Sequence, residues 1–217
     1  MIPHQSVEEE VLPMTRMRNR LVYRVSLFML LFTIPFLALT RWSMAEEALD
    51  PLDTNVLQLA NECAEKVIKQ FDLMLSSGTL TVGQLFDTFY IPIPQTTPQK
   101  YHTQYDKLTD QSLRPILDAC QKKNNHIISV VVVDRNGYLP THNTNFTQPL
   151  TGDAEIDAKR NRSKRLFNDS TGLAAARNNK PYLLQKYDQD TGEKMRDLSV
   201  PLQINGQHWG AIRVAYN

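Results

Sequence analysis

Twenty-four Lys and Arg against 23 Asp and Glu leave the 217-residue chain at a net charge of +1, with 41% apolar and 22% charged residues. That balance supplies no global field for nucleic acid, and the near-average composition excludes both a disordered chain and an all-membrane protein. Beyond Ala45 about 170 residues remain, which suits one domain, and two cysteines are too few for a structural zinc site or a disulfide scaffold.

Residues 1–20 read as a loose cytoplasmic tail, with Pro3, Pro13 and the acidic run Glu8-Glu9-Glu10. Arg16, Arg18, Arg20 and Arg24 then follow with no acid among them, and Val25 to Thr40 carries no charge. Extended from Leu21 to Trp42, with Arg24 snorkelling to the interface, the segment 21–42 has 22 residues. As a helix that is about 33 Å, enough for a hydrocarbon core of ~30 Å. The arginines put the N-terminus inside and the remainder outside. A cleaved signal peptide competes with this reading, because Ser43-Met44-Ala45 supplies small residues at the −3 and −1 positions. Either way the domain 46–217 is exported. Outside the cytoplasm Cys63 and Cys120 either pair or remain two separate small core residues.

Asp53 or Thr54 is expected to cap a long helix reaching Ser76, where Gly78 ends it. Leu57, Ala60, Ala64, Val67, Phe71 and Met74 recur at spacings of 3 and 4, the pattern of a coiled-coil seam. That stripe either packs on the domain's own sheet or lets helix 54–76 dimerise as a stalk; the two are compatible. Leu80 to Tyr90 reads as a short helix, and the prolines of Ile91-Pro92-Ile93-Pro94 through Pro98 forbid a regular one. Asp110 to Lys123 reads as a helix with Leu113, Ile116, Leu117 and Cys120 on one face, unless Pro115 marks its start.

From Ile127 the pattern changes to strands. Ile127 to Val133 is a buried strand, and Asp134-Arg135-Asn136-Gly137 turns it into a second, Gly137 to His142. Tyr182 to Tyr187, Lys194 to Ile204 and Gln207 to Tyr216 complete five, with turns at residues 188–192 and at Asn205-Gly206. Helices followed by hairpin-linked strands predict an α+β class with a five-stranded antiparallel sheet. The long insert Asn143 to Pro181 carries Arg160, Arg162, Arg165, Phe167 and Asp169, which predicts an ordered segment over the sheet face.

Enzyme signatures are absent: there is no Gly-x-Ser-x-Gly elbow, phosphate loop or His-Glu-x-x-His, and no cofactor motif, Cys-x-x-Cys-His included. The chain is therefore expected not to be an enzyme and to need no cofactor or metal. Asp134-x-Asn136-Gly137 and Asp188-x-Asp190-x-Gly192 read as turns rather than calcium loops. Three glycosylation sequons, at Asn145, Asn161 and Asn168, are short patterns of little weight. In the basic run Lys159 to Arg165, Arg162 and Arg165 sit three apart. They are either a solvated face, or a pair that clamps a carboxylate or phosphate, or partners of Asp169 and Asp197. Tyr138, Tyr182 and Trp209 read as core aromatics first and cavity wall second, while His142 and Asn143 are polar rim candidates.

Val131-Val-Val-Asp-Arg-Asn-Gly-Tyr-Leu-Pro-Thr-His-Asn143, Thr151-Gly-Asp153, Asn161-Arg-Ser-Lys-Arg-Leu-Phe-Asn-Asp169, Leu184-Gln-Lys-Tyr187, Asp190-Thr-Gly192 and Asp197-Leu-Ser-Val-Pro201 occur in that order, followed by His208-Trp-Gly210. They resemble the sensory region of bacterial methyl-accepting chemotaxis proteins. Phe86-Asp-Thr-Phe-Tyr-Ile-Pro-Ile-Pro94, Pro98 and Tyr101-x-Thr103-x-Tyr105 resemble the segment before it, so the likeness covers roughly Leu57 to Tyr216.

The resemblance implies a PAS-like or single Cache-like fold, with a long N-terminal helix and a five-stranded sheet cradling a small ligand. It also implies homodimerisation through the long helix, signalling across a bacterial inner membrane, and a sensor domain in the periplasm. Soluble periplasmic protein is the alternative after signal cleavage, acting through a separate signalling receptor. Chemoreceptors continue into a cytoplasmic coiled coil, for which these residues offer no counterpart, so the output step is unsupported. Gln95 stands where the family pattern often has glycine. The expected ligand site combines Arg162 and Arg165 of the insert with His142, Tyr182, Asp197 and Trp209.

Overall fold

Helix α1 (Pro51–Ser76) starts where the Asp50 carboxylate accepts the Asp53 N–H at 2.8 Å. Pro51 fits the first turn because its missing N–H would have no helical partner there. The computed structural model describes residues 49–188 and 194–217. The expected tail 1–20, the anchor or signal segment 21–42 and most of the turn 188–192 lie outside the described residues. Among the described residues no helix is long and apolar enough to cross a membrane.

The cap is thus Asp50, and Asp53 sits one turn in with a different task. Its buried carboxylate accepts hydrogen bonds from Arg196 Nη1 and the Tyr216 hydroxyl, both at 2.6 Å. This fastens the start of α1 to the sheet. The apolar stripe of α1 (Val56, Ala60, Val67, Phe71, Met74) is buried in the domain's own core, while Leu73 on the outer side is 60% exposed. The coiled-coil-like spacing is therefore spent within the domain.

Past Gly78 the expected helix 80–90 shrinks to a single turn, α2 (Val82–Leu85), closed by a Thr81–Gln84 capping box. The proline-rich stretch instead forms an antiparallel pair, β1 (Ile91–Ile93) with β2 (Lys100–His102). The helix expected over 110–123 is two helices, α3 (Asp106–Ser112) and α4 (Arg114–Gln121). They divide at Leu113, because Pro115 cannot donate to a continuous ladder and serves as a first-turn residue of α4. Cys120 of α4 is disulfide-bonded to Cys63 of α1, with Cα atoms 6.3 Å apart.

Strand β3 (Ile127–Asp134) ends on a buried carboxylate. Asp134 accepts the N–H groups of Asn136 and Tyr138 and the hydroxyls of Tyr90 (2.6 Å) and Tyr105 (2.9 Å). Burial raises its pKa even though those four donors favour the charged form. The next strand is only β4 (Tyr138–Leu139), cut short at Pro140. It pairs with β5 (Arg165–Leu166) of the insert and does not join the main sheet.

The insert adds a 3-10 turn (Thr144–Phe146), α5 (Ala154–Arg160) and α6 (Ser170–Ala176). Then come β6 (Leu183–Asp188), β7 (Lys194–Ile204) and β8 (Gln207–Tyr216). The main sheet has four strands, ordered β3-β8-β7-β6 and antiparallel throughout. The fold is α+β with an antiparallel sheet, as the hairpin signals predict. The expected second strand, Gly137 to His142, is diverted to the insert because Asp134 closes the turn and Pro140 supplies no ladder donor.

Strand alternation divides the sheet into two faces. Leu198, Val200, Ile212 and Val214 face α1, and Val130 and Val132 face α4, in the main core. Val131, Val133 and Ala211 point the other way, toward Leu139, Ala176 and Phe167. There Gly137 and Gly172 both press on the Phe167 carbonyl. A Cβ would come within 2.3 Å of it from Gly137 and 2.1 Å from Gly172, so only glycine lets the insert settle this close.

Candidate functional site

On the face away from α1, the sheet and the insert enclose a cavity of about 520 Å³. That is within the usual range for small-molecule sites, roughly 300–1,000 Å³. Its floor is β3, β7 and β8, through Ser129, Val131, Met195, Asp197, Arg213 and Ala215. Its roof comes from the insert, through Phe146, Lys159, Arg162, Phe167, Asp169 and Thr171, with His142 and Leu139 at the junction and Tyr187 at one edge.

Two arginines there have opposite circumstances. Arg213 is held bidentately by Asp197, with Nη2 2.5 Å and Nε 3.2 Å from the carboxylate oxygens. Burial opposes the Arg213 charge, but the Asp197 carboxylate outweighs it and the pKa is raised. Arg162 has no carboxylate partner among the described residues, its contact being the Phe167 ring at 5.4 Å. Burial, with Arg213 nearby, lowers the pKa of Arg162, although Tyr187 acts in the opposite direction.

His142 is buried and stacks on Phe146, ring centroids 4.7 Å apart. Its Nδ1 accepts the Asn143 N–H at 2.8 Å, which leaves Nε2 as the protonated nitrogen of the neutral ring. Burial, reinforced by the Arg162 charge, pushes its pKa down to about 3. The neighbouring backbone is fixed from α4, where Asp118 accepts the Thr144 N–H (3.0 Å), the Thr144 hydroxyl (2.6 Å) and the Asn143 amide (3.2 Å). Asn143 Oδ1 in turn accepts the Val130 N–H at 2.8 Å, beside the irregularity at Ile127/Ser129. On the insert side, buried Lys100 of β2 donates to Asn161 and Ser163, which fixes the backbone on both sides of Arg162.

Of the expected set, the structure brings Arg162, His142 and Asp197 to the cavity and leaves Arg165, Tyr182 and Trp209 off its lining. Arg165 lies 4.9 Å from the Phe167 ring centroid and donates to the Ala158 carbonyl. Asp197 serves Arg213, so it holds neither insert arginine. Tyr182 shares the parity of Leu184 and packs toward the main core.

Trp209 is re-aimed by a β-bulge. Leu202 pairs with Gly210 and Gln203 with His208, which leaves Trp209 as the extra residue. It is fully buried against Phe71 and Tyr105 and donates to the Leu85 carbonyl at 2.9 Å. Sequence reasoning missed Arg213. The signal for it was present, an arginine flanked by Ala211, Ile212, Val214 and Ala215 in a strand otherwise built for burial.

No family model matches the chain, and no curated protein matches it. Among solved structures, it is similar to an extracellular ligand binding receptor from Desulfohalobium retbaense, with 14% sequence identity and a TM-score of 0.35 over 73% of this chain. The chain spans 24% of that structure's length.

Proposed function

We propose that the chain is a membrane-anchored extracytoplasmic sensor that binds a small molecule non-covalently, without catalysis, for chemotaxis-type signal transduction. The observation that carries this reading is the cavity itself. It is a walled space of about 520 Å³ into which Arg162 brings a charge with no carboxylate partner among the described residues. A half-buried charge without a partner costs stability, and a bound ligand is the natural way to offset that cost. The Cys63–Cys120 disulfide supports a compartment that is oxidising, such as the periplasm. In this reading segment 21–42 anchors the domain in a bacterial inner membrane, and the outer side of helix 54–76, with exposed Leu73, is where two copies meet.

A thermal-shift screen of the 217-residue chain against organic acids, amino acids, amines and purines tests the reading. A ligand at 100 times its dissociation constant adds about 2.7 kcal/mol to the unfolding free energy. No stabilisation by any compound across those classes would overturn it. Recovery in the membrane fraction with Met1 retained is expected for the anchor. Cleavage after Ala45 would favour instead a soluble periplasmic module acting through a separate receptor.

A further inference from the structure

We infer that the cavity is built for a monocarboxylate on an apolar body that carries no α-ammonium group, with the carboxylate bound by Arg162 and His142. The inference deepens the ligand-binding reading above and rests on it. Its ground is the inventory of unused hydrogen-bonding capacity. Arg162 offers a planar fork that no carboxylate of the described residues occupies, and such a fork matches the two oxygens of a carboxylate. His142 accepts with Nδ1 and therefore presents an N–H from Nε2. No hydrogen-bond partner of that nitrogen appears among the described residues.

The cavity has less to offer an ammonium or a phosphate. An ammonium group is held most strongly by a carboxylate that no other cation has taken. Asp197 is occupied on both oxygens by Arg213, and Asp169 accepts the Gly172 N–H as the cap of α6 from an exposed position. A phosphate dianion would need a second uncommitted cation in the interior, yet Arg213 is already neutralised and Lys159 is exposed. Elsewhere in the lining Leu139, Phe146, Phe167 and Met195 suit an alkyl or aryl body, and Ser129, Thr171 and Tyr187 leave room for a hydroxyl or carbonyl on it.

The test is calorimetric titration of the detergent-solubilised 217-residue chain with four acids: propanoate, hexanoate, 3-methylbutanoate and 3-phenylpropanoate. Each is compared with its own amide and with its α-amino acid (alanine, norleucine, valine and phenylalanine). At least one acid is expected to bind 10-fold or more tighter than its amide and its amino acid. Arg162→Gln should weaken that acid by about 10- to 100-fold, and Arg162→Lys, which keeps the charge without the fork, by less. Melting of the ligand-free variants checks that they fold, and the acid-to-amide ratio in the parent chain decides the matter if they do not. Equal affinity for acid and amide, tighter binding of the amino acid, or an unchanged constant in a folded Arg162→Gln would overturn this inference and leave the ligand-binding reading standing. If none of the four acids binds, the inference also falls, and the thermal-shift screen decides separately whether the ligand-binding reading falls with it.

Discussion

Gln95 follows Pro94 in the turn between β1 and β2 with φ of 57°, a left-handed conformation that costs a side chain with a Cβ roughly 1–2 kcal/mol. The sequence offered a hint of this, since glycine is the residue the resemblance leads one to expect there. Proline followed by a residue of positive φ is the signature of a type II turn, and glycine is its natural occupant. Gln95 is exposed, so its side chain buries nothing that would be lost. Gln95→Gly is therefore expected to raise the unfolding free energy by about 0.5–1 kcal/mol, after allowing for glycine's greater freedom in the unfolded chain. A urea midpoint that falls would show that the turn carries no such strain.

His142 makes a second prediction at this scale. Its folded pKa of about 3 lies below the ordinary value of 6.5, so the unfolded chain binds the proton more readily than the native one. Stability from this group is complete above pH ~6.5 and declines as pH falls toward 3, by up to about 1.4 kcal/mol per pH unit. Between pH 6.5 and 5, above the carboxylate range, the urea midpoint of the parent chain should fall more steeply than that of His142→Gln by about one proton's worth. Parallel slopes would mean that His142 is solvated. That His142 stands where the insert departs was legible, although the strand expected to carry it ends at Leu139 and the residue is buried rather than at a rim. Its neutrality was not, because that depends on Asn143 and on burial under Phe146, which come together only in three dimensions.

Among the elements, the strands and α1 were readable because apolar alternation and helical spacing are local signals. What failed were places where one side chain overrides its own segment. Asp134 gathers two N–H groups and two tyrosine hydroxyls, and Pro140 lacks a donor, so the expected second strand leaves the sheet after two residues. A bulge moves Trp209 to the opposite face, and bulges leave no mark on hydrophobic periodicity. The cysteines were legible as helical residues but not as a pair, because their juxtaposition depends on how α1 lies across α4.

The resulting link closes a segment between positions 57 apart, for which the chain-entropy relation gives about 4 kcal/mol. Cys63→Ala with Cys120→Ala should lower the unfolding free energy by about 2–4 kcal/mol, as should a thiol reductant acting on the parent chain. Denaturant curves that overlay with and without reductant would mean that the bond contributes nothing to folding.

At the scale of the molecule, β7 has unlike work on its two sides. Asp197 faces the cavity and grips Arg213, while its neighbour Arg196 faces α1 and bonds to Asp50 and Asp53. Tyr216 of β8 adds its hydroxyl to Asp53 from the same side. The cavity wall and the first turn of the long helix are thus separated by one peptide unit rather than by the thickness of the core. A tilt of that single unit, such as would follow if a guest tugged on the Arg213 pair, carries both grips with it. The end of α1 nearest residue 49 is then the first part of the helix to register what occupies the cup.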